Sequence, residues 1–331
     1  MTLTHLVVGP PRHGVTQFGL QLHAAMARAT ESALWHVEHP DQLDWRAVPP
    51  AIHLQFTDRL FGGSPQAAAE VVAEVVGRAS AVGCRVTATL HDLPQPSDGH
   101  NFTRRTQAYA AVCAQVHGVV VNSEHEHRLL AGYAPERVAV VPLPVVFEPA
   151  AKIVTTKTIS VGVFGYVYPG KGHHEVLTAL GHLGSDAELV AIGRPSDGHE
   201  DLADELCSRA ADLGVRFRLT GYVEDGLVEI LRTVTVPVAP HRHVSASGSL
   251  NSWLGVGRRP LAPVNRYSEE IMRRNPDALE LYPDTEIGLR TALKRALDEP
   301  ALTWLSEDTR CTPTAADAAA QYARILRQWH R

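Results

Sequence analysis

The sequence predicts an α/β protein built from two doubly wound domains. The chain has 331 residues, which is too long for one ordinary hydrophobic core and fits two domains of about 150 residues each. Residues 5–29 and residues 159–180 share one pattern, in which a β-rich run is followed by a glycine-containing loop and then by helical spacing of apolar residues. Because this pattern opens a doubly wound domain, two copies of it predict two such domains.

The composition argues against several classes of protein. Hydrophobic residues make up 44% and charged residues 20% of the chain, which are globular values. The formal net charge of −5 gives no broad basic surface for nucleic acid. No apolar run approaches the roughly 18 residues of a membrane span, and the first apolar run reads as a strand and not as a signal peptide. The composition is compatible with peripheral contact with a membrane.

The four cysteines are scattered and form no CxxC pair. They predict neither a disulfide framework nor a zinc site, and they favour a reducing cytoplasm. The 18 histidines fall singly, without the spacing of a metal-binding helix. We therefore expect no metal.

The first domain is predicted strand by strand. Its first loop carries Arg12, His13 and Gly14 between a strand at 5–9 and a helix at 15–29. The remaining elements are strands at 33–37, 51–57, 86–90, 118–122 and 137–142, with helices at 64–82 and 102–116 and a further helix starting at Ser123. Ser64 before Pro65, and Ser123 three residues before Glu126, are typical helix starts.

Polar residues follow two of these strands. Thr57, Asp58 and Arg59 come just past one strand end, and His91 and Asp92 come past another. Ligands of doubly wound sheets bind beyond the carboxyl ends of strands, so both clusters are candidate binding surfaces. Each also has a purely structural reading: Asp58 and Arg59 bond locally, and His91 caps its strand.

The second domain opens with the stretch ISVGVFGYVYPGKGHH, residues 159–174. Gly165 lets main chain approach a ligand closely, because it has no Cβ atom. Lys171 places an ammonium beside the first turn of a helix, where free N–H groups and the helix dipole favour an anion. The combination suits a phosphate. A simple turn with a solvated lysine is the alternative interpretation of the same residues.

The rest of the second domain offers further candidate anion ligands. The predicted elements are strands at 188–192, 216–223 and 235–239, with helices at 199–213, 225–233, 247–257 and 285–297. Arg194 follows the first of these strands. Ser247, Gly248, Ser249 and Leu250 open a helix, where free N–H groups and hydroxyls suit a diphosphate. Simple capping by serine is the alternative.

FGYVYPGKGHHEVLTAL resembles the diphosphate loop of GT-B glycosyltransferases of the GT4 type. The resemblance extends to His-Asp at 91–92, VVVNSEHEHRLL at 119–130 and RLTGYV at 218–223. It implies the GT-B fold, an α/β architecture of two Rossmann-like domains with an interdomain cleft. It also implies a retaining transferase that moves a sugar from a nucleotide diphosphate donor without a metal or a cofactor.

The resemblance and the local sequence together predict roles for individual residues. His91 would face the donor sugar and Lys171 the diphosphate, as the catalytic pair. The donor diphosphate would contact eight further residues, namely Gly14, Gly165, Tyr166, Arg194, Ser247, Gly248, Ser249 and Leu250. Tyr222 and Val223 would contact the base, and the acceptor-side candidates are Arg12, His13, Thr57, Asp58, Arg59 and Asp92.

The sequence departs from the family at three positions. Most members carry two glutamates eight residues apart, and the matching places here hold Val244 and Ser252. The arginine that usually follows the loop glycine is Tyr166 here. The chain resembles a subset whose helix begins Ser-Gly-x-Leu. Arg242 and His243 lie just upstream of these positions and are candidate substitutes.

We expect an acceptor-side domain at 1–150, a nucleotide-sugar domain at 151–314, and a last helix at 315–331 that crosses back to the first domain. Residues 145–157 read as the linker. The predicted partners are a sugar nucleotide and an unidentified acceptor. Two rival interpretations are a nonhydrolysing sugar-nucleotide epimerase, for which few carboxylates are available, and a catalytically idle GT-B protein that binds a sugar nucleotide or a partner enzyme.

Overall fold

The computed structural model describes residues 2–28, 30–147, 158–306 and 308–330. The chain divides into two compact units, one formed by Met1–Pro144 with Pro313–Arg331 and the other by Val145–Thr312. The boundary predicted at residue 150, and most of the predicted linker, lie outside the described residues. Across the described part of the chain, no helix is both long enough and apolar enough to cross a membrane.

The first unit contains a parallel sheet whose described strands follow the order β2-β1-β3-β4-β5-β6. The strands are β1 (Leu3–Val8), β2 (Ser32–Val37), β3 (Ala51–Phe56), β4 (Arg85–Leu90), β5 (Val119–Val121) and β6 (Val138–Val140). Its helices are α1 (Gly14–Ala27), α2 (Asp58–Phe61), α3 (Pro65–Ser80), α4 (Phe102–Gln115), α5 (Glu124–Leu129) and the C-terminal α12 (Ala315–Trp329).

The second unit contains a parallel sheet with the described order β12-β11-β10-β7-β8-β9. The strands are β7 (Ser160–Phe164), β8 (Glu188–Ile192), β9 (Phe217–Leu219), β10 (Val236–Val238), β11 (Leu261–Pro263) and β12 (Glu280–Tyr282). Its helices are α6 (His173–Leu183), α7 (Leu202–Asp212), α8 (Leu227–Thr233), α9 (Gly248–Gly255), α10 (Arg266–Arg274) and α11 (Glu286–Asp298).

Both sheets explain the apolar character of their strands. Parallel sheets carry helices on both faces, so their central strands are buried on both sides and read as continuous β-branched runs. In β5, Val119–Val121 are all buried, and in β7 the same holds for Val161 and Val163. The predicted fold class of doubly wound α/β units is therefore confirmed.

The C-terminal helix α12 belongs to the first unit. Tyr322 and Trp329 of this helix are buried in an apolar cluster with Leu22 and Met26 of α1. A Cβ atom on Gly118 would lie 2.7 Å from the ring of Trp329, so the glycine lets the indole approach the main chain. The last residues of the chain thus complete the core that the first residues begin.

A buried polar network joins the same helix to the sheet. The two ring nitrogens of His53 lie 2.9 Å from the hydroxyls of Thr87 and Thr89. Thr87 continues to Nε2 of His330 at 3.0 Å, and Thr89 to the hydroxyl of Tyr322 at 3.0 Å. Burial holds the pKa of His53 well below its usual range, so the imidazole is neutral at physiological pH.

A buried arginine stabilises a helix end in the second unit. Arg258 is fully buried, and its guanidinium donates to main-chain carbonyls at Leu231, Arg232, Val234, Thr235 and Thr303. It also lies over the ring of Trp304, 4.0 Å from the ring centre. A cation at the carboxyl end of α8 complements the helix dipole and satisfies carbonyls that lack a partner within the helix.

The sequence misplaced several short elements. The strand predicted at 216–223 ends at Leu219, and the helix predicted at 199–213 starts at Leu202. Strand β12 and helix α10 were not predicted. Residues 96–101, for which no element was predicted, form a 3₁₀ turn. Strand β8 has the predicted bounds, and helix α12 starts at the predicted residue, Ala315.

Candidate functional site

The order of strands in the second sheet reverses between β7 and β10, which are hydrogen-bonded neighbours. In doubly wound sheets the loops at this switch point diverge and leave a crevice at the carboxyl ends of the strands. The loop after β7 carries Gly165 and Lys171, and the loop after β10 leads to Ser247 at the start of α9. The fold therefore brings together the loop after β7 and the start of α9, which were predicted separately as anion-binding stretches.

Gly165 and Lys171 are packed against each other. Gly165 has a φ of +111°, and a Cβ atom there would lie 3.2 Å from Nζ of Lys171. Gly193 is tighter still, because its Cβ atom would lie 2.2 Å from the carbonyl oxygen of Gly165. Both positions thus need glycine for the loop to hold the lysine in place.

Lys171 is buried, with 5% of its surface exposed. Its Nζ atom donates to Oγ of Ser249 at 3.1 Å and lies 5.7 Å from the ring centre of Tyr168. No carboxylate of the described residues forms an ion pair with it. Burial lowers the pKa of this ammonium to about 8. A buried cation without a negative partner is a site that attracts an anion.

Two helix starts flank Lys171. Helix α6 begins after Gly172, which is in the left-handed conformation and provides no side-chain cap. Helix α9 is capped by Ser247, whose Oγ atom accepts the N–H of Leu250 at 3.1 Å. Ser247 Oγ also lies 3.2 Å from Oγ of Ser249. The capping interpretation of Ser247 is confirmed, while Ser249 contacts the lysine.

Leu250 and Gly248, two residues of the predicted diphosphate-binding turn at 247–250, have different surroundings. Leu250 is buried in an apolar cluster, and its N–H is used by the cap. Gly248, in contrast, is exposed, and a Cβ atom on it would contact nothing. The anion-suited part of this turn is therefore Ser249 together with the exposed main chain at Gly248.

Arg194 is directed towards its own loop. Its guanidinium donates to Asp197 at 2.7 Å and lies 5.2 Å from the ring centre of Tyr166. The hydrogen bond to Asp197 raises the pKa of Arg194. The side chain is 42% exposed, so water weakens this surface ion pair. Tyr166 and Arg194 thus form one half-buried pair beside the Gly165 loop.

The predicted base-contact residues lie in a loop between β9 and α8. Tyr222 and Val223 are half-buried, and Val223 packs against the cluster that contains Trp253. Thr220, at the start of this loop, accepts the N–H of Gly193 at 3.0 Å. This bond ties the loop to the glycine that supports Gly165.

Most GT4 transferases carry glutamates at two positions that hold Val244 and Ser252 here, and both of these residues make contacts within the second unit. Val244 packs against an apolar cluster, and Ser252 donates to the carbonyl of Gly248 at 3.0 Å. Arg242, a candidate substitute, forms an ion pair with Asp284 at 2.7 Å, and His243 is exposed. None of these four side chains has a described contact with Lys171.

In the first unit the strand order reverses between β1 and β3. His13 caps α1 through Nδ1, which accepts the N–H of Val15 at 3.2 Å. Arg12 and Gly14 are exposed, and a Cβ atom on Gly14 would contact nothing. Gly14 therefore leaves open space at the start of α1.

Asp58 has a distant partner. A local bond to Arg59 was the structural alternative, but Asp58 is paired with Arg105 at 2.9 Å, and Arg59 is exposed. Arg105 also binds Asp98 at 2.5 Å and the carbonyl of Asp92 at 2.6 Å. Asp58 thus anchors the segment that follows β4.

Thr57 and Asp92 also belong to this anchor. The hydroxyl of Thr57 lies 3.4 Å from the Asp92 carboxylate. Asp92 has a φ of +50°, a left-handed conformation that aspartate tolerates better than most residues. The hydroxyl of Tyr109 donates to the carbonyl of His91 at 2.6 Å. Together these bonds fix the main chain just after β4.

His91 is buried, with both ring nitrogens near amide side chains. Nε2 lies 2.9 Å from Oε1 of Gln55, and Nδ1 lies 3.4 Å from Nδ2 of Asn122. Burial lowers the pKa of His91 to about 3, and a nearby His13 contributes. These contacts favour a neutral ring with its proton on Nε2. Phe18 packs edge-on against it, with ring centres 5.2 Å apart.

The family resemblance assigned no role to Gln55 or Asn122. Nε2 of Gln55 and Oδ1 of Asn122 are buried and have no hydrogen-bond partner among the described residues. One is a donor and the other an acceptor, which together match a hydroxyl group. Only their position in the sequence could have identified them, because both lie at the ends of the strands that pair with β4.

Sequence comparison identifies no relatives: no protein-family model matches the chain, and no curated protein sequence matches it. Solved structures do match in fold. HepE from Anabaena, in complex with UDP-glucose, is 14% identical with a TM-score of 0.71, over 99% of this chain and 98% of that one. Sucrose-phosphate synthase from Thermosynechococcus elongatus is 16% identical with a TM-score of 0.71, over 99% and 97%.

The lipopolysaccharide outer core galactosyltransferase WaaB, in its apo form, is 10% identical with a TM-score of 0.63 over 99% of both chains. At identities this low, the likeness establishes the fold. The chain has the GT-B fold, with two Rossmann-like units, as the sequence predicted.

Proposed function

We propose that this GT-B chain is a metal-independent, retaining glycosyltransferase of the GT4 type that moves a sugar from a nucleoside diphosphate sugar to an acceptor. The observation that carries the proposal is Lys171, a buried ammonium without an acidic partner among the described residues, beside the uncapped start of α6. Similar chains support it, since HepE binds UDP-glucose and WaaB is a galactosyltransferase.

The proposed chemistry follows from charge. When the glycosidic bond to the diphosphate breaks, negative charge builds on the phosphate oxygens. Lys171 and the first N–H groups of α6 offer positive potential for that charge in a site shielded from water. Groups of this kind typically contribute about 3 kcal/mol each to a transition state. Because the protein itself supplies this charge, we propose that a metal is not required.

The polar end of the first sheet suits a sugar. His91 is neutral, and the free ends of Gln55 and Asn122 offer one donor and one acceptor. We propose that this cluster binds sugar hydroxyls and that His91 has a catalytic role there without changing its protonation state. We propose that the acceptor contacts exposed residues of the first unit, including Arg12 and Arg59.

UDP is the first nucleotide to test, because HepE has been observed with UDP and with UDP-glucose. Tyr222 and Val223 are the proposed base contacts. Cys84, Cys113, Cys207 and Cys311 are all free thiols, which supports our proposal of a reducing cytoplasm.

A second candidate function is that of a GT-B protein that binds a sugar nucleotide without turning it over. Val244 packs in an apolar cluster where most members of the family carry a glutamate. The site would then bind the diphosphate but lack the carboxylate that stabilises the reacting sugar.

One experiment separates the two. Thermal unfolding would be measured with UDP, GDP and ADP and their glucose conjugates, with and without EDTA, because a ligand of the native state raises the melting temperature. Release of nucleoside diphosphate from the selected donor would then be followed over time. Lys171→Ala is the test variant and Lys294→Ala, an exposed lysine paired with Asp298, is the control.

For the transferase we expect a chelator-insensitive shift with one base, turnover of its sugar conjugate, and loss of both in Lys171→Ala only. A shift without turnover would favour the idle protein. No shift with any nucleotide would contradict both candidates.

A further inference from the structure

Two buried imidazoles lie beside Lys171. His173 is the first residue of α6, and His241 follows β10. They are 3% and 4% exposed. The mechanism proposed above uses neither of them.

The packing of the loops places these groups together. A Cβ atom on Gly172 would lie 2.6 Å from the ring of Pro240, so the Lys171–His173 segment lies directly against the main chain that leads into His241. The charge of Lys171 lowers the pKa of both imidazoles, in addition to the larger effect of burial. The three groups therefore share one electrostatic environment.

Each imidazole has a polar atom without a partner. Nε2 of His173 and Nδ1 of His241 are buried and make no hydrogen bond to any described residue. Buried polar groups are normally hydrogen-bonded, and each exception asks for an explanation. A cluster of one buried ammonium, two imidazoles and an uncapped helix start is rich in donors and contains no anionic acceptor.

The other charged groups of this region have partners of their own. His174, which also lowers the pKa of His173, is paired with Glu205 at 3.3 Å. Arg242 is paired with Asp284 at 2.7 Å, and Glu175 is exposed. The charges acting on His173 are those of Lys171 and His174, and the charges acting on His241 are those of Lys171 and His173.

We propose that His173 and His241 are further binding residues for the donor diphosphate, each donating an imidazole N–H to the phosphate oxygens held by Lys171. This inference rests on the proposed function. A doubly charged phosphate also favours the imidazolium form, so bound nucleoside diphosphate draws protons to the cluster. Affinity for the diphosphate therefore rises as the pH falls from 8 to 6, beyond the contribution of Lys171.

The test is titration calorimetry with UDP, GDP and ADP, and with the matching nucleosides, at pH 8, 7 and 6. The variants are His173→Gln, His241→Gln and the double variant. His182→Gln is the control, because His182 lies on the same helix but is half-exposed and paired with Glu286. Circular dichroism and melting temperature verify that each variant is folded.

We expect each single variant to lose about tenfold in affinity for the diphosphate, a typical value for a hydrogen bond to a charged group, and none for the nucleoside. The double variant has a weaker pH dependence between pH 8 and 6, while His182→Gln matches the wild type. A purely structural role would lower the melting temperature and leave the pH dependence parallel to that of the wild type.

Two outcomes overturn the inference. In one, the double variant binds the diphosphate as the wild type does while Lys171→Ala does not, so the proposed function survives and the imidazoles have no part in it. In the other, the wild type binds none of the three nucleotides, so the proposed function fails and the inference with it. A loss of affinity in every variant, His182→Gln included, also counts against a specific role.

Discussion

Nζ of Lys171 lies 3.1 Å from Oγ of Ser249, although 78 positions separate the two residues in the chain. The contact exists because β7 and β10 are neighbours at the point where the strand order reverses. It joins the loop after one strand to the helix after the other, and so fixes the ammonium between two helix starts. The first two predictions test this relationship.

Binding of nucleoside diphosphate should weaken at alkaline pH. Burial lowers the pKa of Lys171 to about 8, so the ammonium loses its proton as the pH rises through that value. We expect affinity to fall by about tenfold between pH 7 and pH 9. Calorimetry across this range measures it. Lys171→Arg, which stays charged, should show a flatter profile, and equal slopes in the two proteins would refute the assignment.

Ser249→Ala should weaken diphosphate binding without harming the fold. The hydroxyl orients the ammonium, and loss of such a hydrogen bond typically costs about 1 kcal/mol. Ser252→Ala is the matched control on the same helix, because its hydroxyl donates to the carbonyl of Gly248. Dissociation constants for the diphosphate are compared in both variants. Equal losses would mean that helix α9, and not Ser249, is responsible.

His91→Ala should reduce turnover of the donor by at least tenfold while leaving diphosphate affinity nearly unchanged. The ring is neutral and fixed by Gln55, so its removal affects sugar contacts and not charge. Gln55→Leu should have a smaller effect in the same direction. Steady-state kinetics give kcat and KM, with the exposed His127→Ala as control. Unchanged turnover in His91→Ala would return His91 to a structural role.

The buried histidines should make the first unit sensitive to acid. Burial lowers the pKa of His5 to about 3, against 6.5 for an exposed imidazole. The unfolded chain therefore binds more protons than the folded chain between these values, and stability is lost as the pH falls below 6.5. For His5 alone this amounts to about 2 kcal/mol between pH 7.5 and pH 5.

The substitution His5→Leu tests whether His5 causes this loss of stability at acid pH. Both ring nitrogens of His5 are buried without a partner among the described residues, so leucine removes no hydrogen bond. Urea unfolding at pH 7.5 and pH 5 should show a smaller acid loss in the variant than in the wild type. The same acid loss in both proteins would show that His5 contributes nothing to it.

Arg258→Met should destabilise the second unit by about 3–5 kcal/mol. Methionine fills much of the space but leaves five main-chain carbonyls, including those at the end of α8, without their donor. Thermal unfolding measures the effect, with the exposed Arg273→Met as control. A change below 1 kcal/mol would mean that water replaces the guanidinium at those carbonyls.

Local patterns in the sequence predicted the parts of the fold that local interactions determine. The strand, loop and helix around Gly165, the cap at Ser247 and helix α12 all follow from neighbours within a few residues. Strand β12 has three residues, which is too short for a period-2 pattern to be recognised. The extent of the strand ending at Leu219 was overestimated because the family motif continues past it.

Contacts between distant residues could not be read from the sequence. Asp58 pairs with Arg105, 47 positions away, and not with the adjacent Arg59. His241 lies beside Lys171 only because of the strand order. Lys171 itself was selected from its local motif, but its burial, which lowers its pKa, depends on packing between loops that no single stretch encodes.

The position of α12 has a consequence for biosynthesis. The ribosome makes the strands and helices of residues 2–144 before those of residues 145–312, and the helix that covers Gly118 with Trp329 follows both. Until then the nascent first unit exposes the apolar surface of Leu22 and Met26. Residues 145–312 are synthesised and form their own core during this time. A chaperone that binds exposed apolar segments can therefore bind the first unit for longer than the second.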